Sequence, residues 1–371
     1  MKKIIVSILL VIAILSFPIF QLKQANTQAL FQSATAQNKS AAQIEKAATH
    51  SRNAVQESAD ESAKLQQTTD QSATQLETEN KPAFQLAVIS DTHIDTHMPE
   101  VTTKFETALK DLKNIAPEYD AIAVNGDMTN FGLVGEYEIF KSILNANKNP
   151  NADKFMVMGN HEWLEKRIIP DTAVTDDELK NRFIDEMGVP GLYYDKWIKG
   201  YHFITIAGEK SESTMKAAYG ESGRDSAYIS DDQYQWLENT LSINAEDNKP
   251  IFVFFHQPIK NTVYGSEWGA GLDDQKILAL LKKYPQVILF SGHSHYPLDN
   301  PKSIYTDGIM MVNTSSVAYT YTPEGGDNYT LSQGYMVNVY DDKVEFKARE
   351  FSTGTWIKTV TITIMEPNQQ K

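Results

Sequence analysis

The chain contains no cysteine. That absence excludes disulfides, a thiolate nucleophile, Cys-type zinc sites and lipid attachment through an N-terminal cysteine. Any metal must therefore be held by imidazole, carboxylate or amide groups. Basic residues are outnumbered, 34 Lys and Arg against 48 Asp and Glu, for a formal net charge of −14. No Lys/Arg cluster interrupts the body of the chain, so duplex nucleic acid is not expected as a habitual partner. Small anionic substrates remain open, because a bound cation reverses the local sign. Histidine is scarce as well, eight in 371 residues, and its placement is correspondingly informative.

What is present begins with MKKIIVSILLVIAILSFPIF, two lysines followed by a mostly apolar run from Ile4 to Phe20. This reads as an export signal. A small-x-small site occurs only at Ala34-Thr35-Ala36, far from the run, so the segment is also a candidate for an uncleaved membrane anchor, at the short limit for a span. Residues 23–82 are dominated by Gln, Ala, Ser, Thr and Glu and read as a low-complexity stalk, helical at best. The expected organisation is a signal peptide or anchor over 1–22, a stalk over 23–82 and a folded body over 83–371. The expected location is exported, extracellular or at the cell surface, with membrane attachment through an uncleaved N-terminal segment as the alternative to release.

In the body, Phe84–Ile89, Ala121–Val124, Phe155–Met158, Ile251–Phe255 and Val287–Phe290 are apolar runs of strand length. Val101, Phe105, Ala108, Leu109, Leu112 and Ile115 recur at helical spacing, as do Tyr137, Phe140, Ile143 and Leu144. Strand, polar loop, helix, strand predicts an α/β fold with parallel strands buried on both faces. Residues 208–223 are polar and read as loop. Beyond Met310 the strands 310–313, 335–340, 344–351 and 356–364 follow without helices and predict an antiparallel portion.

Each of the five apolar runs ends in a polar loop, and these loops supply Asp91 and His93, Asp127, Asn160 and His161, His256, and His293 and His295. Ligands of open α/β sheets bind outside the carboxyl ends of strands, so the loops predict one shared site. Eight oxygen and nitrogen donors exceed the needs of one divalent ion and suit two ions about 3.5–4 Å apart. Asp127 is the natural bridge, because a carboxylate has two oxygens to share. Gly126, Gly159 and Gly292 are expected at sharp turns with close backbone approach. Taken singly, Asp91 reads equally well as an Asx-turn residue and Asn160 as a loop amide. Five such motifs in order outweigh those readings.

The segments DTH (91–93), GD (126–127), GNHE (159–162), His256 and GHSH (292–295) together resemble the calcineurin-like metallophosphoesterase family. The resemblance implies a four-layer α/β/β/α sandwich with mixed sheets and a dinuclear centre. One ion would take Asp91, His93, Asp127 and His295, and the other Asp127, Asn160, His256 and His293. Asn160 and His161 would contact the phosphate, with His161 protonating the leaving oxygen. The activity implied is phosphoester hydrolysis by in-line attack of a metal-bridging hydroxide. Mixed N/O ligands favour manganese, iron or zinc over calcium.

Two features narrow the resemblance. The first motif is D-x-H, and no Tyr follows the aspartate of GDMTN, which separates the chain from purple acid phosphatases. It is closer to bacterial phosphodiesterases of the cyclic-nucleotide type. A phosphodiesterase is thus expected, acting on a small phosphoester. A phosphomonoesterase on nucleotides or envelope phosphoesters, or a surface binding protein on the same scaffold, is the alternative. Four peripheral readings stay open. Glu162 either orients a neighbour or lies on the surface, and His97 either reaches substrate or is solvated. Tyr264 and Trp268 in NTVYGSEWGAG, like the three tyrosines of AYTYTPEGGDNY, either stack on a base or sugar or pack their loops. His202, inside the run YHFITI, is expected to be a satisfied core histidine.

Overall fold

The computed structural model describes residues 81–245, 249–267, 274–322 and 325–364, together with Lys46. The export segment, nearly all of the stalk and Trp268 lie outside the described residues.

The body opens with β1 (Phe84–Ile89), α1 (Pro99–Ile115), β2 (Ala121–Asn125), α2 (Val134–Asn147) and β3 (Asp153–Val157). Next come the short α3 (Glu165–Ile168), α4 (Asp176–Met187), the hairpin β4 (Tyr194–Ile198) and β5 (Tyr201–Thr205), and α5 (Glu212–Tyr219). Then follow α6 (Asp231–Leu241), β6 (Ile251–Phe254), α7 (Asp274–Leu281), β7 (Val287–Ser291), β8 (Ile304–Asp307) and β9 (Ile309–Asn313). The ribbon β10 (Thr320–Tyr321) and β11 (Asp327–Asn328) precedes β12 (Gln333–Val339), β13 (Lys343–Glu350) and β14 (Thr355–Thr363).

The longer strands form two six-stranded mixed sheets, in the orders β14-β13-β12-β1-β2-β3 and β4-β5-β6-β7-β9-β8. In the first, β1, β2 and β3 are parallel while β12 to β14 are antiparallel. In the second, β5, β6, β7 and β9 are parallel, flanked by antiparallel β4 and β8. The expectation of an antiparallel portion after Met310 therefore holds for β12 to β14 and fails for β9. The seventeen residues between β7 and β9 are long enough to bring β9 round beside β7 in the same direction, with β8 as the antiparallel edge.

Aromatic side chains fill the space between the sheets. Phe203 of the second sheet lies 5.1 Å from Phe84 and 4.9 Å from Phe155 of the first, and Phe155 also meets Phe254 at 5.8 Å. The outer face of the first sheet is covered by α1 and α2, whose apolar stripes meet where Phe105 stacks on Phe140. The outer face of the second carries α6 and α7, through Leu237, Leu241, Ile277 and Leu281. The result is the α/β/β/α layering.

Residues 208–223 are not all loop. Ser211 caps α5 by accepting from the Thr214 N–H, and Met215 is that helix's one buried residue. A helix burying so little shows no apolar period, which is why the pattern concealed it. His202 is a core histidine, as expected, stacked on Trp197 and satisfied at Nε2, 2.9 Å from Asp195 Oδ2. Its buried Nδ1 has no hydrogen-bond partner among the described residues.

Phe203 is wholly buried at the meeting of the sheets. Phe203→Ala is expected to cost about 3–5 kcal/mol, the usual range for emptying a buried phenylalanine site. The shift of the urea midpoint against the wild type measures it; a loss below about 1 kcal/mol would contradict this packing.

Candidate functional site

The carboxyl ends of β1, β2, β3, β6 and β7 converge on one rim, and backbone hydrogen bonds fasten their loops to one another. The Asp91 N–H donates to Gly126 O, the His93 N–H to Asp127 O and the Gly292 N–H to His256 O. Beyond β9, the Val317 and Ala318 N–H groups donate to Ser90 O and Asp91 O. Ten described non-glycine residues have positive φ, and five of them lie here: Asp91 (54°), His93 (42°), Asp127 (48°), His293 (63°) and His295 (55°). Histidine in the left-handed region costs about 1–2 kcal/mol per residue. Such strain persists only where the surroundings over-determine the geometry, and it concentrates at functional sites.

The side chains so placed form two groups that share Asp127. Ligand-type atoms of Asp91, His93, Asp127 and His295 lie within 4.8 Å of one another, and so do those of Asp127, His256 and His293. His295 Nε2 is 2.9 Å from Asp91 Oδ1 and 3.1 Å from His93 Nε2. His256 Nε2 is 3.1 Å from both Asp127 Oδ2 and Asn160 Oδ1. Separated by Ser294 alone, His293 and His295 thus fall in different groups.

These atoms suit a cation on chemical grounds. His256 Nδ1 donates to the Asn125 carbonyl at 2.7 Å, so in a neutral ring Nε2 carries only a lone pair. That lone pair faces a carboxylate oxygen and an amide oxygen, three acceptors with no hydrogen between them. A positive charge resolves the conflict, either a second proton on His256 or a metal ion. Without metal the proton takes that place. Burial opposes it, yet the Asp127 and Asp91 carboxylates outweigh burial and push His256 up to about 9. For Asp91, burial likewise opposes ionisation, and the charges of His295 and His256 overcome it, holding the carboxyl well below its usual range. Asp127 is lowered in the same way by His256 and His161. Burial and the neighbouring imidazoles depress His93 to about 4 and His293 to about 3, so both rings present lone pairs at neutral pH.

Glu162 is fully buried, which decides between its two readings. Its carboxylate accepts from the N–H groups of Asp127, Thr129 and Gly159 and from the Thr129 hydroxyl, tying the β2 and β3 loops together. Burial and the Asp127 charge push it up to about 7 against the pull of those donors. Close approach explains two motif glycines. A Cβ on Gly126 would lie 2.2 Å from His256 Nδ1, and one on Gly159 would lie 2.2 Å from Asp127 Oδ1. Of the three, only Gly126 has positive φ (95°); the close approach expected at Gly159 and Gly292 is present without it.

His161 sits at the mouth, about one fifth exposed. Its N–H donates to Asp127 Oδ1, and its Nδ1 donates to the Asn130 carbonyl at 2.9 Å. Asn130 is held in turn by Asp95, whose Oδ2 accepts from its amide at 2.7 Å. Sequence reading passed over Asp95 and Asn130; their position in the motif loops SDTHIDTH and NGDMTN was the available signal. His97 lies outside the cluster, 86 % exposed and beside Asp95 and Thr96. Tyr264 packs edge-on against Tyr296 at 4.5 Å. Of the tyrosines in 318–329, Tyr319 and Tyr321 pack on the His295 ring at 4.5 and 5.1 Å, and Tyr319 also meets His93.

Comparison with known proteins agrees with this architecture. The family model of calcineurin-like phosphoesterases matches residues 84–297, more than half of the chain. The chain belongs to the calcineurin-like phosphoesterase family. It is 26% identical over 226 residues to the glycerophosphodiester phosphodiesterase GpdQ of Enterobacter lignolyticus, covering 57% of this chain and 70% of that protein. It is 22% identical over 222 residues to a 3′,5′-cyclic-nucleotide phosphodiesterase of Nostoc, covering 58% of this chain and 73% of that one. Among solved structures, the purple acid phosphatase PPD1 of yellow lupin superposes with a TM-score of 0.50 at 13% identity. That match covers 76% of this chain and 55% of the lupin protein, a likeness of fold alone. The family and its phosphodiesterase relatives make the chain a metallophosphoesterase, with a His/Asp cluster able to hold metal.

The sign of a pH effect follows from His256. Its value in the fold, about 9, exceeds the ordinary 6.5, so its proton stabilises the metal-free fold fully below 6.5. That contribution is lost as the pH rises through 9. Metal-stripped protein is expected to melt at progressively lower temperature from pH 6.5 to 9, and Mn²⁺-loaded protein to hold steady. Identical pH profiles for the two forms would contradict this account.

Proposed function

We propose that the protein is an exported, metal-dependent phosphodiesterase. The observation that carries the reading is the convergence of Asp91, His93, Asp127, His256, His293 and His295 from four strand ends, buried and mostly in strained backbone. Asp91, His93, Asp127 and His295 would hold one divalent ion, and Asp127, Asn160, His256 and His293 a second. Two such ions neutralise a phosphate ester and make water nucleophilic near neutral pH.

The remaining work falls to the chain's own groups. Glu162 keeps the Asp127 loop in register with Gly159. Because the Asn130 carbonyl engages Nδ1 of His161, the second proton of its imidazolium sits on Nε2, 4.0 Å from Asp127 Oδ2. That is the nitrogen able to donate to the departing alkoxide. Tyr319 and Tyr321 keep the His295 ring from turning, since each packs on one of its faces or edges. The names of the two relatives favour a diester over a monoester substrate. The lysines and apolar run of residues 1–20 favour export, to the cell surface or beyond it. Recovery of the native protein in the cytosolic fraction would oppose that part.

The central test adds Mn²⁺ to metal-stripped protein and compares bis-p-nitrophenyl phosphate with p-nitrophenyl phosphate. Faster turnover of the diester is expected; no turnover of either with Mn²⁺, Fe²⁺ or Zn²⁺ would sink the reading. Asp127→Asn is expected to abolish activity and lower metal content on elemental analysis. His161→Ala should lose about 10²–10⁴-fold in kcat while keeping its metals, and loss of metal there would show the role misassigned. His293→Ala and His295→Ala should each deplete a different ion.

A further inference from the structure

Beside Asn160 the site opens into a charged groove with no part in the chemistry above. A small cavity lined by Gly159, Asn160, Trp163, Glu212, Asp225 and Gln257 abuts the cluster. Through Trp163 and Glu212 it joins a groove of about 460 Å³ lined by Lys166, Arg167, Lys216 and Arg224. Lys166 and Ser213 carry that groove outward to Thr214 and Ala217.

The charge of this groove runs against that of the molecule. The chain has fourteen more acidic than basic residues, yet four cations and one carboxylate line this groove, with Glu221 and Asp225 flanking Lys216 and Arg224. That carboxylate, Glu212, stands between Arg167 at 3.9 Å and Arg224 at 3.8 Å, too far from either for a direct hydrogen bond. Arg224 also lies 3.6 Å from Asp225, again beyond hydrogen-bond reach. Both guanidiniums therefore keep donor capacity, and each is over a third exposed. Lys216 is paired with Glu221 at 2.9 Å. The cations come from segments about fifty residues apart, on α3, on α5 and in the turn after α5. Arginine in particular offers a planar fork that matches phosphate oxygens.

We propose that this groove binds a second anionic group of the substrate, so that the substrate class is a phosphodiester carrying at least one further phosphate. The inference rests on the phosphodiesterase reading and sharpens it. A diester whose scissile phosphate lies at the cluster would direct one substituent past Asn160 and Trp163, where a further phosphate meets Arg167, Lys216 and Arg224. Diesters with only neutral substituents would leave the two guanidiniums to water and Lys216 to Glu221.

The test uses the Mn²⁺-loaded full chain and a phosphonate-linked adenosine dinucleotide, whose C–P bond resists hydrolysis, with and without a terminal 5′-phosphate. Calorimetric titration is expected to show at least ten-fold tighter binding of the phosphorylated form, with the margin shrinking as salt rises. In the Arg167→Gln/Lys216→Gln variant the margin should fall below about three-fold. Lys110→Gln/Lys283→Gln, which removes two cations elsewhere, should preserve it. Equal affinities in the wild type overturn the proposal, and so does a margin that survives Arg167→Gln/Lys216→Gln. Because no turnover is needed, this result is separate from hydrolysis of bis-p-nitrophenyl phosphate, on which the phosphodiesterase reading stands or falls.

Discussion

Two carboxylates, Asp91 and Asp127, are buried side by side at the rim of two sheets, and burial of that much negative charge demands compensation. Much of the site is the answer to that demand. Imidazoles crowd round the pair, and His256 takes up a proton that its burial alone would forbid. The same arrangement explains why the protein is a site for cations and not simply a store of strain. A proton satisfies the lone pairs facing His256 Nε2, but a divalent ion can satisfy many more of them at once.

The scaffold serves this constraint through its strand directions. Parallel strands in both sheets end at the same rim, so short loops from both can meet without a further domain. Those loops are braced against each other by backbone hydrogen bonds and by Glu162, and the bracing holds five ligand-type residues in left-handed backbone. Distributing strain over several loops keeps each contribution small. The aromatic packing of the sheet interface, around Phe155 and Phe203, sets the spacing from which the loops depart.

The proposed specificity groove lies away from this core. The connections from β3 to β4 and from β5 to β6 contribute much to the surroundings of the cluster, through Trp163, Arg167, Lys216 and Arg224. Their cationic groove in an acidic protein is a local reversal of sign, as a selective site for anions requires. The tyrosines on the other side do different work. Tyr319 and Tyr321 hold histidine rings in place, which leaves less of their surface for a substrate.

The linear order of residues by itself determined the α/β grammar and the membership of the site. Buried parallel strands must be continuous apolar runs, and ligands at their ends must follow those runs, so both signals are local. Asp127 as the shared residue was legible for the same reason, whereas the separation of His293 from His295 came from the family resemblance. Only the tertiary structure decided what depends on approach between distant segments. The direction of β9 was settled by a long connection whose path the sequence does not encode locally. Helix α5 buries only Met215, too little to leave a period. Glu162 was ambiguous because one glutamate after a histidine reads alike on the surface or beneath it, until the fold surrounded it with four donors. Likewise Asn130 and Asp95, and the cations of the groove, acquire their partners through contacts that sequence spacing does not express.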